Sequence, residues 1–219
     1  MFHQDGRIEI FKDRHEAGFL LGEELKKLNL GEKIVVLGIP RGGVLVSHEV
    51  SRVLGCLHGS ITIKKIPAPQ NPELAVGAVS TKGGPVLNKE LIDALMVPPN
   101  YLKREVQLKT KEAKRQANFL REDIAKLKVL GKTVIIVDDG VATGLTVQAA
   151  YGLINKKKPN RIMLATPIIS KRRASELKKI FDGVVSLKTP EEFRSVGQFY
   201  QDFSAVTDER VKSLLTDSK

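Results

Sequence analysis

Residues Val134-Ile135-Ile136-Val137-Asp138-Asp139-Gly140-Val141-Ala142-Thr143-Gly144-Leu145-Thr146 constrain this chain more than any other stretch. Four β-branched residues in succession fit a strand covered on both faces, as in a parallel sheet with helices above and below. The run stops at two adjacent carboxylates. Gly140 and Gly144 permit a tight turn, and Val147 to Ile154 resumes a helical spacing of apolar residues. The expected unit is strand, loop, helix. Such a loop aims backbone N–H groups and a helix N-terminus at one spot, which suits a phosphate. Carboxylates repel phosphate, so Asp138 and Asp139 are fitted instead to sugar hydroxyls or a hydrated Mg²⁺, and the combination asks for a phosphorylated sugar. The chain has neither a complete Walker A loop, GxxxxGK[ST], nor a GxGxxG fingerprint.

The same plan occurs earlier. Lys33 to Ile39 reads as a second buried strand, followed by Gly38-Ile39-Pro40-Arg41-Gly42-Gly43 and a helix over Val44 to Leu54. Paired glycines beside an arginine let backbone amides and a guanidinium approach one anion. Strands are also expected at Ile8 to Phe11, Ser60 to Ile66, Arg161 to Thr166 and Val184 to Leu187. The alternation of βα units predicts a doubly wound, mostly parallel α/β sheet with helices on both faces and its ligand at the strands' carboxyl ends.

Asp13-Arg14-His15-Glu16 has the form of a capping box, opening a helix to about Leu28 with Ala17, Leu20, Leu21, Leu25 and Leu28 on its core face. The proline-dense 67–72 stretch reads as a loop. Glu73 to Val79 and Pro85 to Leu87 read as short strands of a hairpin with Lys82 at its tip. Tyr101 to Leu127 reads as one long helix with a stripe of Leu102, Val106, Ala113, Ala117, Leu120, Ile124 and Leu127. Its other faces carry Lys103, Arg104, Lys109, Lys111, Lys114, Arg115 and Arg121. Ser170 to Ile180 is expected to be helical. Phe193, Phe199, Tyr200 and Phe203 crowd the C-terminal segment, which suits packing it onto the domain.

The central string resembles the PRPP-binding motif of the type I phosphoribosyltransferases, where PRPP is 5-phosphoribosyl 1-pyrophosphate. With the Gly38 to Gly43 loop, the Lys65 to Val79 segment and the aromatic tail, the resemblance extends over nearly the whole chain, to a stand-alone branch of that family. It implies that Asp138 and Asp139 hold the ribose 2- and 3-hydroxyls and meet Mg²⁺ only indirectly, through those hydroxyls or water. It implies that Ala142, Thr143, Gly144, Leu145 and Thr146 cradle the 5-phosphate, and that Arg41, Gly42 and Lys65 meet the pyrophosphate. Asp138, Asp139, Arg41 and Lys65 are then the expected catalytic set. Leu145 stands where glycine is frequent, but still offers its N–H. Ala142 stands where hypoxanthine-guanine members place an Asp and adenine members an Ala, which favours a purine acceptor. Glu73, near the lid, is a further candidate participant.

The resemblance implies one phosphoribosyltransferase-like domain over residues 1–219, with a lid over about 67–88 and a small hood from 1–12 and 184–205. Its expected activity is Mg-assisted transfer of ribose 5-phosphate to a nitrogen nucleophile, a nucleobase, with release of pyrophosphate, in nucleotide metabolism. The expected partners are PRPP and a small-molecule acceptor, with a homo-oligomer as a further expectation. The net charge of +11 also admits an alternative, a PRPP-sensing regulator that binds nucleic acid through its basic surface. No aromatic residues interleave the basic helix face, which argues against single-strand recognition. One cysteine, Cys56, excludes an intrachain disulfide and fits a reducing compartment. The N-terminal residues show no signal pattern and no apolar run reaches membrane-span length, so a cytoplasmic protein without membrane contact is expected.

Overall fold

A computed structural model describes residues 10–82, 84–122 and 127–216, without the side chain of Glu73. Five strands form a parallel sheet in the order β2-β1-β6-β7-β8, with β1 Ile34–Gly38, β2 Leu57–Ser60, β6 Thr133–Val137, β7 Arg161–Ile168 and β8 Gly183–Lys188. All five β6 residues are buried, as the β-branched run requires of a central strand. Side chains alternate between two cores. Val35, Leu37, Val134 and Ile136 face α5 (Leu145–Asn155) and α6 (Lys171–Leu177), while Val36, Ile135 and Val137 face α1 (Arg14–Lys26) and α2 (Gly42–Leu54).

After β1 the chain moves outward to β2, and after β6 it moves the other way to β7. The order therefore reverses between β1 and β6, and the crevice outside the carboxyl ends of those two strands is the ligand position of an open α/β sheet. The β6 register sets Gly38 opposite Val137, so the loops leaving the two strands start side by side.

The first helix begins as its sequence predicts: Asp13 Oδ1 accepts from the Glu16 amide at 2.9 Å. The Glu16 carboxylate answers the Lys12 amide, at 2.6 Å, rather than that of Asp13. Its buried face differs from the expected one. Leu20 and Leu28 are 42% and 44% exposed, and the core face is Ala17, Gly18, Leu21, Gly22 and Leu25. The glycines decide this, because a Cβ on Gly18 would meet the Val46 carbonyl at 2.6 Å and one on Gly22 the Val53 Cβ at 2.8 Å. Only a glycine face lets α1 lie this close to α2.

Ser60 to Ile66 is not one strand. The parallel sheet ends at Ser60, and β3 (Ile63–Ala68) opens a separate antiparallel sheet with β4 (Asn71–Ser80) and β5 (Val86–Leu87). The stretch expected as a proline loop thus contains strand, with a tight turn at Pro69-Gln70. Register shifts on both sides of Pro67 mark the irregularity that lets β3 hold a residue with no N–H to donate. Residues 75–80, within the expected lid, are buried. α3 (Lys89–Ala94) follows β5, and α4 (Pro99–Phe119) packs Leu102 and Val106 against this sheet. α4 ends at Phe119, short of Leu127, and Ile124 lies outside the described residues. Among the described residues no helix is long and apolar enough to cross a membrane.

Residues 1–9 of the expected hood lie outside the described residues. Phe11 pairs with Tyr200 as an isolated parallel bridge, its amide donating to Phe199 O and its carbonyl accepting from Gln201, both at 2.8 Å. Phe11, Phe199, Tyr200 and Ile168 form a small core there. Val184 to Leu187 belongs to the parallel sheet as β8 rather than to a hood. A short 3₁₀ turn (Val196–Phe199) and α7 (Asp208–Thr216) complete the chain, with Val211 and Leu214 of α7 packed on Val44 and Leu45 of α2.

Candidate functional site

The loops after β1 and β6 touch. Ile39 donates its amide to Val137 O at 2.9 Å, and a Cβ on Gly43 would sit 2.9 Å from the Asp138 Cα. One on Gly42 would overlap the Asp139 carboxylate and lie 2.8 Å from Arg14 Nε. Gly42 is thus fixed as glycine by close approach, not by φ. The Pro40–Arg41 peptide is cis, and Arg41 stands exposed at the N-cap of α2.

Beyond the acid pair, Val141 is held by its amide to Ile168 O at 2.9 Å. Gly140 lies under Val196 of the C-terminal segment, with no room for a Cβ. Ala142 is exposed and Thr143 partly so. Gly144 takes the left-handed conformation, φ +79°, at the N-cap of α5, where no side chain caps the helix. Leu145 is buried yet opens the helix with its amide, 3.5 Å from Thr143 Oγ1. Thr146, in the first turn of α5, is partly exposed. Apart from that long Leu145 contact, the N-cap supplies no side chain to the α5 terminus, the local chemistry of an anion cradle. The stem of Arg173, from α6, packs against Gly144, and its guanidinium pairs with Glu176.

Asp138 and Asp139 occupy different electrostatic surroundings. Burial first, and the Asp139 charge second, push the Asp138 carboxyl well above the usual carboxylate range, with Lys65 opposing. Asp138 Oδ1 accepts the Asp139 amide at 3.0 Å. Asp139 Oδ2 accepts from Arg14 Nε at 2.8 Å, and its main-chain oxygen accepts from the Tyr200 hydroxyl at 2.6 Å.

The expected residues are therefore brought together in part by direct contact and in part by field. Gly42, Asp138 and Asp139 adjoin, and the 142–146 loop follows directly. Lys65 is exposed on β3 and acts on Asp138 through its charge. The lysine whose charge is felt with Arg41 is its neighbour Lys64, whose ammonium is held below its ordinary value by burial first, with Asp208 opposing and Arg41 adding. Sequence reasoning passed over Lys64 and missed Arg14, and it read Tyr200 only as part of the aromatic tail, not as a donor to the acid loop. Arg14 carried only the signature of a helix first turn, and its partner lies 125 residues away. The Glu73 side chain lies outside the described residues.

The acid pair offers hard oxygen donors, which suit Mg²⁺. Among the described residues no three His, Cys, Asp or Glu side chains converge on a metal position. Two carboxylates can supply only part of such a cation's oxygen shell.

Comparison with known proteins agrees with this arrangement. The phosphoribosyl transferase domain family matches residues 9–204. MT0597 of Mycobacterium tuberculosis strain CDC 1551 / Oshkosh and Rv0571c of strain ATCC 25618 / H37Rv, both provisionally named phosphoribosyl transferases, are each 33% identical over 208 residues. The match covers 95% of this chain and 47% of theirs, so the chain spans about half the length of these curated relatives. The crystal structure of TT1426 from Thermus thermophilus has a TM-score of 0.77 at 39% identity, covering 95% of this chain and 99% of that one. With the β1 and β6 loops meeting at the switch point of the sheet, and a family match over most of its length, this chain belongs to the phosphoribosyl transferase domain family.

Proposed function

We propose that the chain is a PRPP-dependent phosphoribosyltransferase domain that transfers ribose 5-phosphate to a nitrogen nucleophile and releases pyrophosphate. The observation that carries this reading is the contact between the Gly38–Gly43 loop and Asp139 at the sheet's switch point. It supports this reading by setting side by side, in one crevice, the loop we assign to pyrophosphate and the acid pair we assign to the ribose diol, next to the loop we assign to the 5-phosphate. In this reading the amides of 142–146, with the N-terminus of α5, hold the 5-phosphate. Asp138 and Asp139 orient the ribose hydroxyls, and Arg41, Lys65 and the amide of Gly42 neutralise the leaving pyrophosphate. Lys64 adds positive charge beside Arg41.

Mg²⁺, when bound with PRPP, supplies charge neutralisation on the pyrophosphate oxygens. The protein's own contribution is placement and electrostatics: the ribose is fixed by its hydroxyls and its 5-phosphate while positive charge grows on the ring carbon facing the acceptor. A nucleobase acceptor, with purine preferred, rests on Ala142 at the exposed tip of the loop. Among the described side chains at this crevice we assign none as a general base for the acceptor.

Incubating the protein with Mg-PRPP and a panel of nucleobases, and measuring pyrophosphate release, tests this reading. Base-dependent release that Asp138→Asn abolishes supports it. Absence of Mg-PRPP binding by calorimetry rejects it.

A second reading has one observation in its favour: Lys103, Arg104, Lys111, Lys114 and Arg115 are exposed on α4. A regulator that senses PRPP and binds nucleic acid there requires a salt-dependent gel shift that responds to PRPP. Absence of a shift at low salt dismisses it.

A further inference from the structure

Arg14 belongs to neither ligand loop, yet its side chain ends between them. It is the first residue of α1 and only 8% exposed. Its Nε donates to Asp139 Oδ2 at 2.8 Å, and its Nη1 donates to the main-chain oxygen of Ser204 at 3.0 Å. Its guanidinium carbon lies 3.8 Å from the Phe203 ring centroid and 6.0 Å from that of Tyr200. A guanidinium can donate along two directions in its plane while its face stacks on an aromatic ring, which an ammonium cannot do. Each partner fixes a different degree of freedom of the side chain.

The same segment grips Asp139 a second time, through the Tyr200 hydroxyl on its carbonyl. Asp139 is thus held at main chain and side chain by residues that otherwise have no part in the crevice. The engaged carboxylate oxygen also lies where a Gly42 side chain would have to sit. The orientation of this carboxylate is consequently set by three elements at once: α1, the β1 loop and the C-terminal segment.

We propose that Arg14 is a positioning residue for sugar recognition: held by Phe203 and Ser204, it fixes the Asp139 carboxylate in the orientation that distinguishes a ribose from a sugar lacking the 2-hydroxyl. The inference rests on the PRPP reading of the crevice. A carboxylate that accepts from a ribose hydroxyl discriminates only if its direction is fixed before the sugar arrives. Once the polar group is held there, an analogue without the hydroxyl leaves it unpaired. A freely rotating carboxylate instead turns to water and discriminates little. Arg14 also offsets one of two adjacent negative charges without occupying the phosphate cradle, so its removal should spare phosphate binding.

The test compares ribose 5-phosphate with 2-deoxyribose 5-phosphate as competitors of Mg-PRPP, in the full chain and in Arg14→Lys, Arg14→Met and Phe203→Ala. The intact chain is expected to prefer the ribose form by about tenfold or more, as a site built around a hydroxyl does. Arg14→Met is expected to bring that preference close to unity while the affinity for 2-deoxyribose 5-phosphate stays within about threefold of the intact chain's. Arg14→Lys keeps the charge and is expected to regain thermal stability but not the preference. Phe203→Ala, which leaves Arg14 in place but unsupported, is expected to give an intermediate ratio. A merely structural role lowers both affinities together in proportion to lost stability and leaves the ratio intact, and that result in either Arg14→Lys or Phe203→Ala overturns the proposal even if Arg14→Met does not fold. An intact chain that binds neither sugar phosphate rejects the PRPP reading itself. Unchanged discrimination in the variants rejects only the role of Arg14.

Discussion

The Tyr200 hydroxyl stands 2.6 Å from the main-chain oxygen of Asp139, so the aromatic C-terminal segment is fastened directly to the loop that leaves the central strand. The phenol is kept neutral far into the alkaline range, by burial first and then by the charges of Asp139 and Asp138, with Arg14 opposing. It is therefore a constant donor. Tyr200→Phe removes that donor and keeps the ring against Phe11 and Phe203. The expected loss is about 1 kcal/mol of unfolding free energy, the usual net worth of one partly buried hydrogen bond. Urea unfolding at pH 7 and pH 9 should give the same loss at both. A loss that vanishes at pH 9 would mean that the phenol ionises in the folded protein.

Asp138 sets function against stability. Its folded-state pKa is raised above the ordinary 3.8, by burial first and by Asp139 second, so above pH 3.8 the folded chain holds on to a proton that the unfolded chain has released. The stability this contributes is complete below pH 3.8 and is lost as pH rises toward the folded-state value. Asp138→Asn removes the buried charge. The variant should be more stable than the parent at pH 7, and the gap should close as pH falls to about 4. Its affinity for Mg-PRPP should fall at the same time. Thermal melts across pH 4 to 8, alongside calorimetry, separate the two effects, and a variant less stable than the parent at pH 7 contradicts this account. Asp139→Asn is the less clean probe, because it strips Arg14 of its carboxylate partner and leaves a cation 8% exposed with weakened pairing.

How far the sequence reveals this site depends on how local each determinant is. The β6 strand and its loop were legible because burial on both faces demands β-branched residues. The turn into α5 demands Gly144, and both demands fall within thirteen successive positions. The core face of α1 was only half legible, since helical spacing alone admits Leu20 and Leu28. The close approach of α2 to Gly18 and Gly22 is a tertiary fact that selects the other stripe. Pro67 misled in the opposite direction, because a local signal for loop was overridden by a hairpin that accommodates proline at a bulge. Arg14, Tyr200 and Phe203 were illegible as site residues: their roles exist only once a parallel bridge joins Phe11 to Tyr200, from opposite ends of the chain.

Gly42 reports on the contact between the two ligand loops. Gly42→Ala puts a methyl group where the Asp139 carboxylate lies, with Arg14 Nε behind it, so the carboxylate or the loop must move. Overpacking of this kind typically costs about 1–3 kcal/mol. Mg-PRPP affinity should drop by more than the stability loss alone explains, because both halves of the crevice shift. Gly140→Ala is the control, since its methyl would press on Val196 and Ile168 outside the β1 loop. It should lower stability by a similar amount and affinity by less. Equal affinity losses in the two variants would show that the β1 loop has no special part in binding.

His58 should dominate the acid limb of stability on the β2 edge. Its Nε2 lies 2.8 Å from the Ser47 hydroxyl and its ring packs edge-on to His48 at 5.6 Å. Burial first, and the charge of His48 second, push its pKa down to about 4 from the ordinary 6.5. Between those values the unfolded chain binds a proton that the folded chain refuses, so the stability His58 contributes is present above pH 6.5 and is lost as pH falls toward 4. At 1.36 kcal/mol per pKa unit the full span amounts to roughly 3 kcal/mol. Glu122, whose carboxyl is pushed above its ordinary range by burial against the opposing hydrogen bonds of Thr62 and Ser60, acts with the opposite sign across this region. The parent curve alone therefore understates His58. The difference between parent and His58→Asn isolates it: urea unfolding at pH 7 and pH 4.5 should show the parent losing about 2–3 kcal/mol more than the variant over that interval. Equal losses in the two proteins would mean that His58 is already protonated, or already exposed, in the folded state.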